Sequence, residues 1–241
     1  MAGYDTANEI QNVYSSAHSE FGVSPNFWLR YFTPSPAADV VNSDPVSESR
    51  GAWDSGGPRI GCINEPSQSR LASGSTAEGQ SDGQSFCAAV YSAYTSVGPL
   101  QLPTNGTLYC WLGQEASTSL TLNYWNGWAR TVHDYVFAEN GLSPLYPCLY
   151  CDPPAPPPNC TIIQDSSAVT CHAVWSSEPE PCTRSIANPP TWNADHCSVV
   201  PTKVWQYAEQ GACGLSANVD LDMGAPNFNT ANYCFYLSSR P

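Results

Sequence analysis

Acidic residues recur in this chain at one kind of place. The run Leu108-Tyr109-Cys110-Trp111-Leu112-Gly113-Gln114 stops at Glu115. Its apolar and aromatic residues follow the turn residues Pro103 to Gly106 and predict a buried strand. An acid there is a poor choice for stability, because an unpaired buried charge is costly. It is a common choice for catalysis in α/β barrels, whose chemistry sits at the C-terminal strand ends. Asp5, Glu65, Asp152, Asp220 and Asp222 lie at or near the ends of strand-like runs too. Two carboxyl groups flanking a bond, one protonated and one ionised, can cleave a glycosidic linkage. Crowding acids in one cavity raises some of their pKa values, so one of them can hold a proton near neutral pH.

Glu115 is the expected acid, with Asp5 or Asp220 as its ionised partner. Glu65 and Asp222 are expected to bind substrate, together with Tyr31, Trp175, Gln206 and Tyr207 near other strand ends. Aromatic faces stack on sugar rings, and an amide bonds hydroxyl groups. Each residue also has a purely structural reading. Asp5 could cap the first helix. Glu65, before Pro66, could turn outward. Glu115 could pair with Arg30, which needs a carboxylate. Asp152 adjoins a proline-rich loop and reads as surface. Asp220 and Asp222 share one strand face, so one of them reads as structural.

Eight strand-like runs would position these groups. They start at Gly3-Tyr4-Asp5, then Asn26 to Phe32, Arg59 to Glu65 and the Leu108 run. Pro144 to Asp152, Ala168 to Trp175, Thr202 to Tyr207 and Asn218 to Asp222 follow. Helical periodicity marks 8–21, 79–97 and 121–140. Residues 39–57 are loop with a short helix, 67–78 a polar loop, and the chain after the eighth strand a short tail. The pattern predicts one (β/α)8 TIM barrel over 1–241, irregular around strands five and six. Pro147 weakens the fifth strand, because proline lacks a ladder donor. Proline- and cysteine-rich insertions occupy 153–165 and 176–198.

The chain has 241 residues, 41% hydrophobic, and a net charge of -13 from 8 basic and 21 acidic side chains. That charge argues against nucleic acid and anionic membranes as partners. No apolar run approaches a membrane span, so no membrane insertion is expected. Of the 11 cysteines, six fall between Cys148 and Cys197. The Cys148–Cys151 spacing fits a zinc knuckle or redox pair, but no second close pair follows. Disulfides pinning the proline-rich loops are the expectation, with no metal or other cofactor, and an odd thiol left over. The sequons at Asn105 and Asn159 also favour secretion. No signal peptide is visible at Met1, so a processed start with an added Met is expected. No Walker loop, dinucleotide fingerprint or serine nucleophile motif is present.

Gly3-Tyr4-Asp5, Trp28-Leu29-Arg30-Tyr31-Phe32, the Leu108 to Glu115 strand, Val204-Trp205-Gln206-Tyr207 and Val219-Asp220-Leu221-Asp222 occur in that order. In this the chain resembles the glycoside-hydrolase-like TIM-barrel domain of unknown function from secreted microbial proteins. It is more distantly similar to the family 25 lysozymes. The resemblance covers roughly residues 2–225. It implies an Asp on the first strand, matched by Asp5, and one on the last, matched by Asp220. Of the lysozymes' Asp-x-Glu on strand four, the Glu is matched by Glu115, the general acid, and Gly113 stands where the Asp would be. The implied protein is a secreted monomeric glycoside hydrolase acting on a polysaccharide or cell-wall glycan. A non-catalytic carbohydrate-binding or cell-wall-associated protein on the same barrel is the alternative, which Gly113 favours. A disulfide-stabilised interaction protein is a third reading.

Overall fold

The structure is a computed structural model. It describes residues 1–22, 24–32, 44–103, 107–115, 118–136, 145–153, 159–166, 169–178, 189–197, 200–209 and 218–241. Asn105, Cys182, Cys213 and much of the two proline-rich insertions lie outside these residues.

Eight strands close a ring. They are β1 (Ala2–Asp5), β2 (Phe27–Tyr31), β3 (Arg59–Asn64), β5 (Leu108–Gly113), β6 (Leu145–Cys151), β7 (Val174–Ser177), β8 (Thr202–Ala208) and β9 (Asp220–Gly224). Round the ring the order is β2-β1-β9-β8-β7-β6-β5-β3, and β3 returns to β2. Two short strands, β4 (Leu100–Gln101) and β10 (Phe235–Leu237), hang from β3.

The expected ring of eight parallel strands is corrected at one place. β9 runs antiparallel to both β8 and β1, so the barrel is mixed. A parallel return needs a crossover of roughly a dozen residues or more, usually a helix. Residues 209–219 are too few to make one across the length of a strand. The sixth expected strand is also displaced. The expectation covers Ala168 to Trp175, of which Ala168 lies outside the described residues, but β7 starts only at Val174. Pro147 sits inside β6 without breaking it. Its carbonyl accepts from His172 N at 3.0 Å, and β7 first pairs with β6 at Leu149. A residue's N–H and C=O point the same way from a strand, so the donor that proline lacks faces irregular chain, not a ladder.

The helices are α1 (Ile10–Phe21), α2 (Pro45–Asp54), α3 (Gln68–Ser73), α4 (Thr76–Ser96), α5 (Leu122–Asp134), α6 (Asn159–Asp165) and α7 (Thr230–Tyr233). α3 corrects the expected polar loop, and α6 replaces part of the irregular insertion. A capping box of Ser75 and Glu78 starts α4. α1 has no side-chain cap of its own; Ile10 N donates instead to Glu48 Oε1 at 3.0 Å. Asp5 is therefore not its cap.

α4 and α5 cross with their backbones nearly touching. A Cβ on Gly127 would lie 2.1 Å from Thr76 O, and one on Gly79 would lie 2.2 Å from Tyr124 O. Gly127→Ala should therefore cost about 1–3 kcal/mol by overpacking. Urea denaturation measures it, and an unchanged midpoint would refute the close crossing.

Strand alternation separates two cores. The outward faces, with Trp28, Cys110, Leu112 and Trp205, pack under the helices. The inward faces fill the barrel with Phe27, Leu29, Tyr109, Trp111, Trp175 and Val204. The expected short tail does more than trail off. Phe228 and Tyr233 pack into the base of this inner core, with the Tyr233 ring 4.1 Å from Tyr109. One disulfide, Cys160–Cys197, is formed among the described residues. Cys148, Cys151 and Cys171, expected in bridges, are instead buried thiols, as are Cys62, Cys87, Cys110 and Cys234.

Candidate active site

The apolar filling of the barrel gives way at its C-terminal mouth to a pocket of about 260 Å³. Asp5 is the last residue of β1, and its Cα partner in β9 is Asp220. Like charges placed opposite each other oppose sheet pairing. Asp222 lies two residues further along the same face of β9 and is fully buried. Its Oδ1 accepts from Trp175 Nε1 at 3.0 Å. Its Oδ2 meets no N–H or hydroxyl donor. The Asp5 carboxyl lies within hydrogen-bonding reach of Asp222, an arrangement that favours a proton on one of the two acids. Burial pushes both well above the usual carboxylate range. The charges of Asp222 and Asp220 push Asp5 further up.

Gln206 fixes this arrangement from β8. Its Nε2 donates to Asp5 Oδ2 at 3.0 Å and reaches Asp220 Oδ2 at 3.4 Å. Its Oε1 accepts from Tyr150 Oη at 2.9 Å and Ser177 Oγ at 3.1 Å. Both ends of the amide are thus committed to protein groups. Tyr150 in turn stands against Trp175, with ring centroids 4.4 Å apart.

A second carboxyl pair stands across the mouth. Glu65 follows β3 and Glu115 follows β5, a neighbouring strand. Their carboxyl groups are hydrogen-bonded. Burial and the neighbouring Glu115 push Glu65 up to about 7. Burial and the charge of Glu209 raise Glu115 as well. Tyr31, at the end of β2, lies between the pairs. After burial, the Asp5 and Glu65 charges raise its hydroxyl most.

Of the residues singled out from sequence, Asp5, Tyr31, Glu65, Glu115, Trp175, Gln206 and Asp220 line this one pocket. Tyr207 does not. Consecutive strand residues face opposite ways, so with Gln206 inward Tyr207 points outward, 6.0 Å from the Trp205 ring. Asp222 is not on the lining either. It lies beneath Asp5 and acts on the pocket through it. Asp152 stays outside the lining and acts on Glu178. Arg30 is not the partner of Glu115. It faces outward and pairs with Glu48 at 2.8 Å. Tyr150 and Glu209 were missed. Tyr150 was legible in principle: it shares strand parity with Cys148 and pairs in register with Trp175. Glu209, just past the end of β8, carried the same strand-end signal as Glu65 and Glu115 and was overlooked.

The arrangement offers protonated carboxyls that can donate and ionised ones that can accept or attack. Among the described residues the lining holds no Lys, Arg or His. No group of three or more His, Cys, Asp or Glu among them could hold a metal ion.

No family model matches the chain, and no curated protein matches its sequence. Solved structures share the fold over nearly the whole chain. An uncharacterized B. stearothermophilus protein superposes with a TM-score of 0.71 at 19% identity, covering 97% of this chain and 100% of that one. The Tat-secreted protein Rv2525c of Mycobacterium tuberculosis has a TM-score of 0.51 in complexes with HEPES and with L-tartrate. Identities there are 12% and 13%, and 95% of this chain and 96% of that one are covered. At such identities the likeness shows the fold.

Proposed function

We propose that this chain is a secreted glycoside hydrolase on a TIM-type barrel with one strand reversed. It acts on a polysaccharide or cell-wall glycan and belongs with the glycoside-hydrolase-like barrels of secreted microbial proteins. The observation that carries the reading is the two sets of acids facing one pocket, Asp5 (backed by the buried Asp222) beside Asp220, and Glu65 with Glu115. Such pairs supply the acid and the ionised partner that glycosidic cleavage needs. The pocket's acids, with no basic group among the described lining, favour a neutral or cationic sugar over an anionic one. Tyr31, half-buried, offers aromatic surface beside it, whereas Trp175 is buried and contributes only to the pocket wall. The disulfide, the sequon at Asn159 and the Tat-secreted structural neighbour support secretion. The reaction needs no cofactor on this reading, and the protein works as a monomer.

Reducing-end release from β-glucans, mannans, chitin and chitosan, by wild type and Asp5→Asn, tests it. Release by wild type that falls sharply in Asp5→Asn is expected. Release that is equal in both excludes the site, and none from any glycan excludes the activity. The non-catalytic reading is favoured by Gly113, which leaves β5 without a second acid. It predicts saturable binding of one of these glycans with no release.

A further inference from the structure

The acid end of β5 carries a glycine two residues before its glutamate, and that glycine has a visible use. Glu65 extends the inward parity of Gly61 and Ile63, one residue past β3. Asn64 pairs in register with Leu112, so Glu65 stands level with Gly113. A Cβ on Gly113 would lie 3.3 Å from Glu65 Cγ and 3.4 Å from its Cβ. The aliphatic stem of Glu65 therefore lies over the bare backbone of β5, which brings its carboxyl to Glu115. Glu115 is fixed from the other side. Its N–H donates to Gln68 Oε1 at 3.0 Å, and Gln114 N donates to Tyr150 O at 3.1 Å. Glu115 is exposed at the rim, whereas Glu65 sits deeper.

We infer that Glu65, not Glu115, is the catalytic residue that delivers the proton to the leaving oxygen, and that Gly113 is the positioning residue that lets it reach. The role rests on the hydrolase reading; the sharing of one proton by the pair does not. In two carboxyls that touch, the deeper one keeps the proton, because burial penalises its ionised form more. Glu65 is the one raised to about 7. As the bond between the anomeric carbon and the bridging oxygen breaks, its electron pair stays on the oxygen. That oxygen takes the Glu65 proton and departs as an alcohol. Water supplies the hydroxyl of the new reducing end, and its other proton restores Glu65. Glu115 stays ionised and holds the Glu65 proton in place until transfer.

The test has two arms on the full chain. In the first, the side-chain carboxyls are titrated by 13C NMR in wild type, Glu115→Gln and Gly113→Ala, with Glu65→Gln for assignment. Glu65 is expected to titrate near 7. Glu115→Gln should lower that midpoint by a pH unit or more, by removing the adjacent charge. Gly113→Ala should lower it less, by pushing the Glu65 stem off the strand. A Glu65 midpoint between 4 and 5, or Glu115 as the group titrating near 7, overturns the inference without touching the hydrolase reading. In the second arm, whichever glycan is cleaved is compared with a dinitrophenyl glycoside of its sugar, whose leaving group needs no proton. Glu65→Gln should lose roughly 100-fold or more on the glycan and little on the activated glycoside. Equal losses on both assign Glu65 a structural role and refute its part as the acid.

Discussion

Glu48→Ala is expected to destabilise the protein by about 3–5 kcal/mol, the usual effect of leaving one member of a buried ion pair alone. Arg30 lies outward on β2 with no solvent exposure, and Glu48 on α2 is 1% exposed. Arg30 Nε donates to Glu48 Oε2 at 2.8 Å, and the other nitrogens of the guanidinium donate to the carbonyls of Thr6 and Asn8. The remaining Glu48 oxygen takes the first N–H of α1. One carboxylate thus ties β2, α2, the start of α1 and the segment just after Asp5. Removing it strands a guanidinium in the apolar layer and an orphan donor at a helix end. Equilibrium urea denaturation reads the change. A loss below about 1 kcal/mol would mean that Arg30 reaches water or another carboxylate, and the network would have to be redrawn.

Stability should fall as pH rises from 5 to 8, and Glu65→Gln should abolish much of that fall. The folded midpoint of Glu65 is about 7 against an ordinary 4.5, so folding takes up a proton between those values. Stability is then full below the unfolded midpoint and lost as pH passes through the folded one. At about 1.4 kcal/mol per pH unit of displacement, Glu65 alone accounts for roughly 3 kcal/mol. Glu178, raised by burial to about 7, has the same sign, and so do Asp5 and Asp222. Asp54 beside Arg240 and Glu78 beside Ser75 are shifted the other way. Their contributions are lost only in acid, below the window. The introduced amide mimics the protonated acid, so the Glu65→Gln variant should match wild type at pH 5 and exceed it at pH 8. Acids held at a strand mouth against their own repulsion are a cost that such a substitution relieves. Wild type more stable at pH 8 than at pH 5 would contradict the geometry of both carboxyl pairs.

Which acids meet was legible because apolar runs mark strands, and strand ends in a barrel converge. Asp5, Glu65, Glu115 and Asp220 could be brought to one mouth on that logic alone. The direction of β9 was not legible, because an apolar run reads the same in either sense. Its reversal still leaves Asp220 at the mouth, since the strand now begins there. Parity was legible but overlooked for Gln206 and Tyr207, which cannot share a face. The partner of Arg30 was hidden, because Glu48 lies in a helix whose buried side is set by packing on α1 and β3. The proton held by Glu65 was hidden for the same kind of reason. It depends on the space above Gly113, and that space exists only once β3 and β5 lie side by side.

The most direct test of the whole account is a potentiometric titration of native protein against protein unfolded in urea, between pH 5.5 and 7.5. The same measurement on an Asp5→Asn, Glu65→Gln double variant assigns the difference. Native wild type should release more protons in this window than the unfolded chain, and the excess should shrink in the variant. Coincident native and unfolded curves would mean that the strand-end acids ionise as they do in water, and that no proton is held at the barrel mouth.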